Sequence, residues 1–269
     1  SLLEIFPAFF WAIIILVGAL IIRSSRNNLP EYKYYMPNIL AKMFFGISFG
    51  LVYIFVYGGG DTIAYYDGAV CMNNLFFKSP EHYFDQIFSA PDIFKRQLYY
   101  DSITGYPPGW IYREPEAFFI SKIISIFSFF TLKSYFAMTI IISTFTAHAS
   151  WLLFKLVRAY DFSKEKLLVF GILFLPSVNF WCSGVSKDSV VFISSVYLVY
   201  HLFKILSPNQ KTTTINVVIL IINMFIIYHI RIHILFAILI PAFFAISARL
   251  IRIIGGGNIA VVAGRTAII

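Results

Sequence analysis

The sequence predicts an all-α protein, a polytopic bundle of transmembrane helices with about seven spans, one further re-entrant or in-plane segment, and one long extracytoplasmic loop carrying juxtamembrane helices. Three observations predict it. Of the 269 residues, 59% are hydrophobic and 19% aromatic, against roughly 45–50% apolar in soluble domains. Mean hydropathy is +0.79. The apolar residues fall into runs close to the about 17 to 25 residues that a helix needs to cross a bilayer. No soluble domain boundary interrupts them, so the chain reads as a single membrane domain over 1–269.

Lys and Arg number 21 against 13 Asp and Glu, a formal +8. The bases stand singly at the ends of apolar runs, which marks them as topology determinants beside anionic lipid and excludes a nucleic-acid face. Cys71 and Cys182 are the only cysteines, and neither has metal-ligand spacing to another Cys or His.

The first span is 2–22, with Pro7 near its start and Arg23 and Arg26 at its end. It lacks a basic leading flank and a small-residue cleavage pattern, so it reads as a retained span and not a signal peptide. The basic, proline-punctuated loop 23–38 is then cytoplasmic, and the second span, 39–57, emerges outside at Gly58. From 58 to 116 lie eight of the 13 acids and only four bases, a net −4 that leaves +12 for the rest of the chain. That asymmetry puts the segment outside. Its aromatics, among them Tyr65, Tyr83, Trp110 and Tyr112, argue against disorder and for short helices at headgroup level.

The stretch 117–131 is apolar but only 15 residues long and contains Lys122. If it crossed, every later basic cluster would be inverted, so it reads as re-entrant or in-plane. Spans follow at 134–157, 167–181, 189–206, 215–230 and 232–248, with the basic loop 158–166 and the segment 207–214 inside and Arg249 and Arg252 at the last inner end. Two outer turns result, 182–188 (CSGVSKD) and 228–233 (YHIRIH). The final stretch, 259–269, is apolar apart from Arg265 and Thr266, which suits a chain that continues into further helices.

There is no P-loop, GxSxG or HExxH motif, so nucleotide-driven transport and the hydrolase chemistries those motifs serve are not expected. His148 and His201 are isolated within spans, where a histidine is more often an interhelical hydrogen-bonding group than a proton relay. The polar groups that remain converge on one face. Asp61 and Asp67 supply carboxylates just beyond a span, a position that is costly unless solvated or paired. Lys187, His229, Arg231 and His233 supply cationic or titratable groups. A carboxylate can take a proton from an acceptor hydroxyl while Lys or Arg neutralises a departing phosphate, which arginine can grip with a bidentate fork.

Plainer readings stand beside these. Ser186 and Asp188 are equally a helix N-cap and first-turn acid, Arg231 can snorkel, and Pro176 with Asn179 can be a kink with local hydrogen bonds.

The stretches GGGDTIAYYDGA (58–69), LPSVNFWCSGVSKDS (175–189) and the YHIRIH turn resemble the GT-C membrane glycosyltransferases, especially bacterial surface-polysaccharide members and EpsG-like or Wzy-like polymerases. Lys187-Asp188 stands where Lys-Glu is more usual in that family. The resemblance implies a sugar donor on a polyprenyl phosphate, a glycan or lipid-linked acceptor, and a bacterial cytoplasmic membrane with the site on its outer face. It implies Asp61 as general base, Asp67 as its partner or a ligand for a divalent cation (Mg or Mn), and Lys187, Asp188, His229, Arg231 and His233 at the substrate. Two other classes fit the composition: a non-catalytic membrane subunit that holds membrane-protein partners, and a lipid or glycan carrier.

Overall fold

The computed structural model describes residues 2–159, 165–207 and 213–253. Among them all regular structure is helical. Five helices are long and apolar enough to cross a bilayer: Glu4–Ser25 within α1 (Leu2–Ser25), Pro30–Phe55 including α2 (Tyr35–Phe55), Tyr135–Arg158 (α7), Lys187–Leu206 (α10) and Thr214–Ser247 within α11 (Thr214–Ile253). The chain is an integral membrane protein.

Contacts between helices fix their directions. Asn38 Nδ2 on α2 donates to the Ala147 carbonyl of α7 at 2.8 Å, while Gly50 lies against the Tyr135 ring at the other end. These two helices are therefore antiparallel. Ser134 Oγ caps α7 and also donates to the Glu4 carbonyl of α1 at 2.6 Å. At the opposite end Arg158 pairs with Glu31 at 3.1 Å and with Glu165 at 3.7 Å. The bundle end that holds Ser134 therefore also holds Gly58 and Asp61.

His148 on α7 hydrogen-bonds the Tyr197 hydroxyl on α10. His201 on α10 meets Asn216 on α11 at 3.0 Å. Each histidine thus joins two helices, the role expected of an isolated one within a span.

At Gly46, α2 comes close to α7 and to the turn after α9. A Cβ there would sit 2.2 Å from Ser143 Oγ and 2.7 Å from the Ser183 carbonyl, so no side chain fits without backbone movement. Gly46→Val is expected to lower stability by about 1–3 kcal/mol or more. Thermal unfolding in detergent checks this, and an unchanged midpoint would show that the contact can yield.

Two expected spans take another form. Over 167–181 the helix does not run through: α8 (Glu165–Leu168) passes into a π-helical turn, Val169–Leu173, and α9 (Pro176–Trp181) begins afresh. Pro176 lacks the N–H that would continue the ladder, and Asn179 Nδ2 donates to the freed Leu173 carbonyl at 3.0 Å. The expected turn at 228–233 is reduced to a single extended residue, Arg231 (φ −149°, ψ 80°), between two helical arms of α11.

The segment 58–116 is helical, with one helix longer and more deeply packed than headgroup-level helices would be. Gly58, Gly59 and Gly60 all have positive φ (65°, 125° and 90°), which only glycine adopts freely. They release α2 and start α3 (Asp61–Lys78) at Asp61. The stripe Tyr65, Ala69, Met72 and Leu75 on α3 is buried against α6 (Pro115–Ser128). Gly68 allows that approach, since a Cβ would meet Ser121 Oγ at 2.9 Å. Between them α4 (Pro80–Phe88) and α5 (Ile93–Tyr99) are tied by Lys95 to both Asp85 oxygens at 2.8 and 2.7 Å.

α6 has 14 residues, about 21 Å of helix, short of a hydrocarbon core of about 30 Å. Along its length it touches α11 through Phe119 on His229 (4.8 Å) and α7 through Phe127 on Phe145 (5.7 Å). Just beyond it, the Phe130 carbonyl accepts from Trp11 Nε1 of α1 at 2.9 Å. Lys164, Lys211, the side chains of Arg249 and Arg252, and the apolar end 259–269 lie outside the described residues.

Candidate functional site

The N-terminus of α3, the N-terminus of α10 and the bend of α11 meet at one end of the bundle. They enclose a cavity of about 110 Å³ lined by Asp61, Thr62 and Tyr65 of α3, Ser186, Lys187 and Asp188 of α10, Arg231 of α11, and the rings of Phe49, Tyr53 and Trp181. Four of the residues singled out in the sequence, Asp61, Lys187, Asp188 and Arg231, therefore share one space across a separation of 170 positions.

Each is held by local structure. Asp61 opens α3 directly after the glycine turn, and its Oδ2 accepts from the Tyr65 hydroxyl at 3.4 Å, one turn on. Burial, reinforced by Asp61, pushes the Tyr65 phenol well above its ordinary pKa, so it remains a donor to that carboxylate. Ser186 caps α10 by accepting from Ser189 N at 3.0 Å, as the plainer reading expected. Asp188 in that first turn also accepts from Arg231 Nη2 at 2.7 Å. Lys187 Nζ lies 3.3 Å from Glu114 and 3.8 Å from Glu116, and 5.8 Å from the Tyr65 ring centroid. Capping and site geometry are thus served by the same residues.

Three predicted residues are not brought into the cavity. Asp67 follows Asp61 by six positions on one helix, about 600° of rotation, which turns it to another face. The residue is exposed overall, and partial desolvation of its carboxyl raises the pKa, an effect that solvent screening keeps small. His229 stacks on Phe119 at 4.8 Å, with Nδ1 3.0 Å from the Phe225 carbonyl of its own helix. His233 is exposed and two residues past the bend.

The raised pKa of Asp67 gives a prediction. Its ionised form is disfavoured in the folded state, so it subtracts stability fully above its folded pKa, and the penalty fades as pH falls from there to the unfolded value. Asp67→Asn is expected to melt at or above the wild-type temperature near pH 7. A lower midpoint would show that the carboxylate has a partner.

Glu114 and Glu116 were missed as site residues, although they flank Pro115, which starts α6, and so mark a helix N-terminus. With them the cluster holds four acids and two bases, and both bases are paired. Among the described residues no group of three or more Asp, Glu, His or Cys could hold a metal ion.

A second cavity, about 440 Å³, shares Trp181, Asp188 and Arg231 with the first and extends along Val191 and Ser195 of α10, Ser177 and Cys182 beside α9, and Ile234 of the second α11 arm. Two apolar cavities of about 330 and 570 Å³ lie on the α6 side of α7 and α10 and have Phe127, Ile141, Phe145 and Tyr197 in common. No protein-family model, curated protein or solved structure matches this chain. The functional reading therefore rests on the site itself.

Proposed function

We propose that the chain is a membrane glycosyltransferase of GT-C-like type, moving a sugar from a polyprenyl-phosphate-linked donor to a glycan or lipid-linked acceptor on the outer face of a bacterial cytoplasmic membrane. The observation that carries this is the meeting of Asp61, Lys187, Asp188 and Arg231 around one cavity at one end of the bundle. Asp61 takes the proton of the acceptor hydroxyl. Lys187 and Arg231 balance charge on the departing phosphate, and the carboxylates now paired with them hold both cations in place until a phosphate exchanges in.

The seven-span topology belongs to this reading. It places α6 in the outer leaflet and counts the α8–α9 segment and the two arms of α11 as crossings, which brings the acid-rich segment 58–116 and the Arg231 bend outside together. A divalent cation takes no part in the steps assigned here.

The second reading, a non-catalytic membrane subunit, is favoured by one observation: both site cations are already neutralised by acids of the same chain. An assay separates the two. Membranes carrying the chain, supplied with a labelled polyprenyl-phosphate sugar and a glycan primer, are expected to move label into primer. Equal transfer by membranes lacking the chain would remove the enzymatic reading.

A further inference from the structure

Lys42 lies in the interior of α2, and its side chain is 0% exposed. Its Nζ makes no hydrogen bond and no ion pair among the described residues. It sits over the Phe192 ring, 5.3 Å from the centroid. A buried ammonium without a counter-charge is among the costliest groups a membrane protein can carry, which makes it a functional candidate with a missing anionic partner.

The 440 Å³ cavity indicates where that partner binds. Phe192, the ring over which Lys42 Nζ sits, lines it, as does Cys182. So does Ser195, whose buried Oγ also lacks a hydrogen-bond partner. Arg231 stands at the other end, beside Asp188, which precedes Ser195 by seven residues on α10, about 10 Å of helix. In the smaller cavity the two bases, Lys187 and Arg231, are matched by two acids, Asp61 and Asp188, so an anion enters only by displacing an ion pair. The larger one has an unneutralised cation beneath one of its lining rings, Phe192.

We infer that the cavity between α9, α10 and the second arm of α11 is a binding site for a compact oxyanion of the phosphate-monoester class, held between Arg231 in its lining and Lys42 beneath the Phe192 ring, with the Ser195 hydroxyl as donor. It shares Arg231 with the transfer site but requires no transfer. A lipid headgroup and a free phosphate present the same chemistry to it.

The test uses the full chain in phosphatidylcholine nanodiscs, with and without phosphatidic acid, and separately with millimolar inorganic phosphate. Phosphatidic acid is expected to raise the melting temperature of the wild type. A matching rise with inorganic phosphate supports the site with a soluble source, and a rise with phosphatidic acid alone supports it with a lipid source. Lys42→Met is expected to bind fluorescent lysophosphatidic acid at least tenfold more weakly and, without ligand, to melt above the wild type because the unpaired charge is gone. Ser195→Leu fills the cavity from another wall and is expected to lose binding with Lys42 intact. Wild-type affinity in both variants overturns the proposal, as does a Lys42→Met protein that melts lower and binds normally. The readout is binding, so a failure here leaves the Asp61 assignment standing and a failure of sugar transfer leaves this site standing.

Discussion

Asp61→Asn is expected to cut sugar transfer by about 10²–10⁴-fold, the usual contribution of a positioned general base, while leaving membrane insertion and melting temperature unchanged. The carboxamide keeps an oxygen that can accept from the Tyr65 hydroxyl, the contact Asp61 makes at 3.4 Å. It keeps the volume at the start of α3 and removes only the basic lone pair. The glycine turn before it is unaffected, so Gly58, Gly59 and Gly60 still set the position of α3. Protein amount and midpoint must be measured on the same preparation as transfer. A folded Asp61→Asn protein with wild-type transfer removes the base assignment, whereas a parallel fall in stability and transfer means that the residue holds α3 in place.

Residue types and spacing made part of this site legible before the coordinates. The apolar run that stops before Asp61 marks a helix end, and Ser186 before Asp188 marks a helix start. Both lie where expected, and their convergence with Arg231 follows from helices that run out and back. Other features left no local signature. The depth of α3 depends on Gly68 facing Ser121, a contact 53 positions distant. The burial of Lys42 depends on packing with distant residues, among them Phe192, 150 positions on. Asp67 misled because proximity in sequence to Asp61 was read as proximity in space, although a helix sends a residue six positions on to another face. His229 and His233 misled similarly: alternation suits an extended turn, and only Arg231 is extended.

Replacing Arg231 separates fold from function by magnitude. The Arg231–Asp188 pair is about two-fifths exposed on each side, 39% and 41%, so its contribution to stability should be the ~0.2–1 kcal/mol typical of exposed ion pairs. Loss of a donor that stabilises developing negative charge costs about 10²–10³ in rate, or roughly 2.7–4 kcal/mol. Arg231→Met is therefore expected to lose transfer by that larger factor with a small change in midpoint. Its backbone, extended at φ −149°, accepts either side chain. The exchange Asp188→Arg with Arg231→Asp should restore the midpoint without restoring transfer, because the fork would then project from α10 and not from the bend that joins the two cavities. Recovery of transfer in the exchanged protein would mean that charge balance alone matters there, and the role of Arg231 at the phosphate would fall.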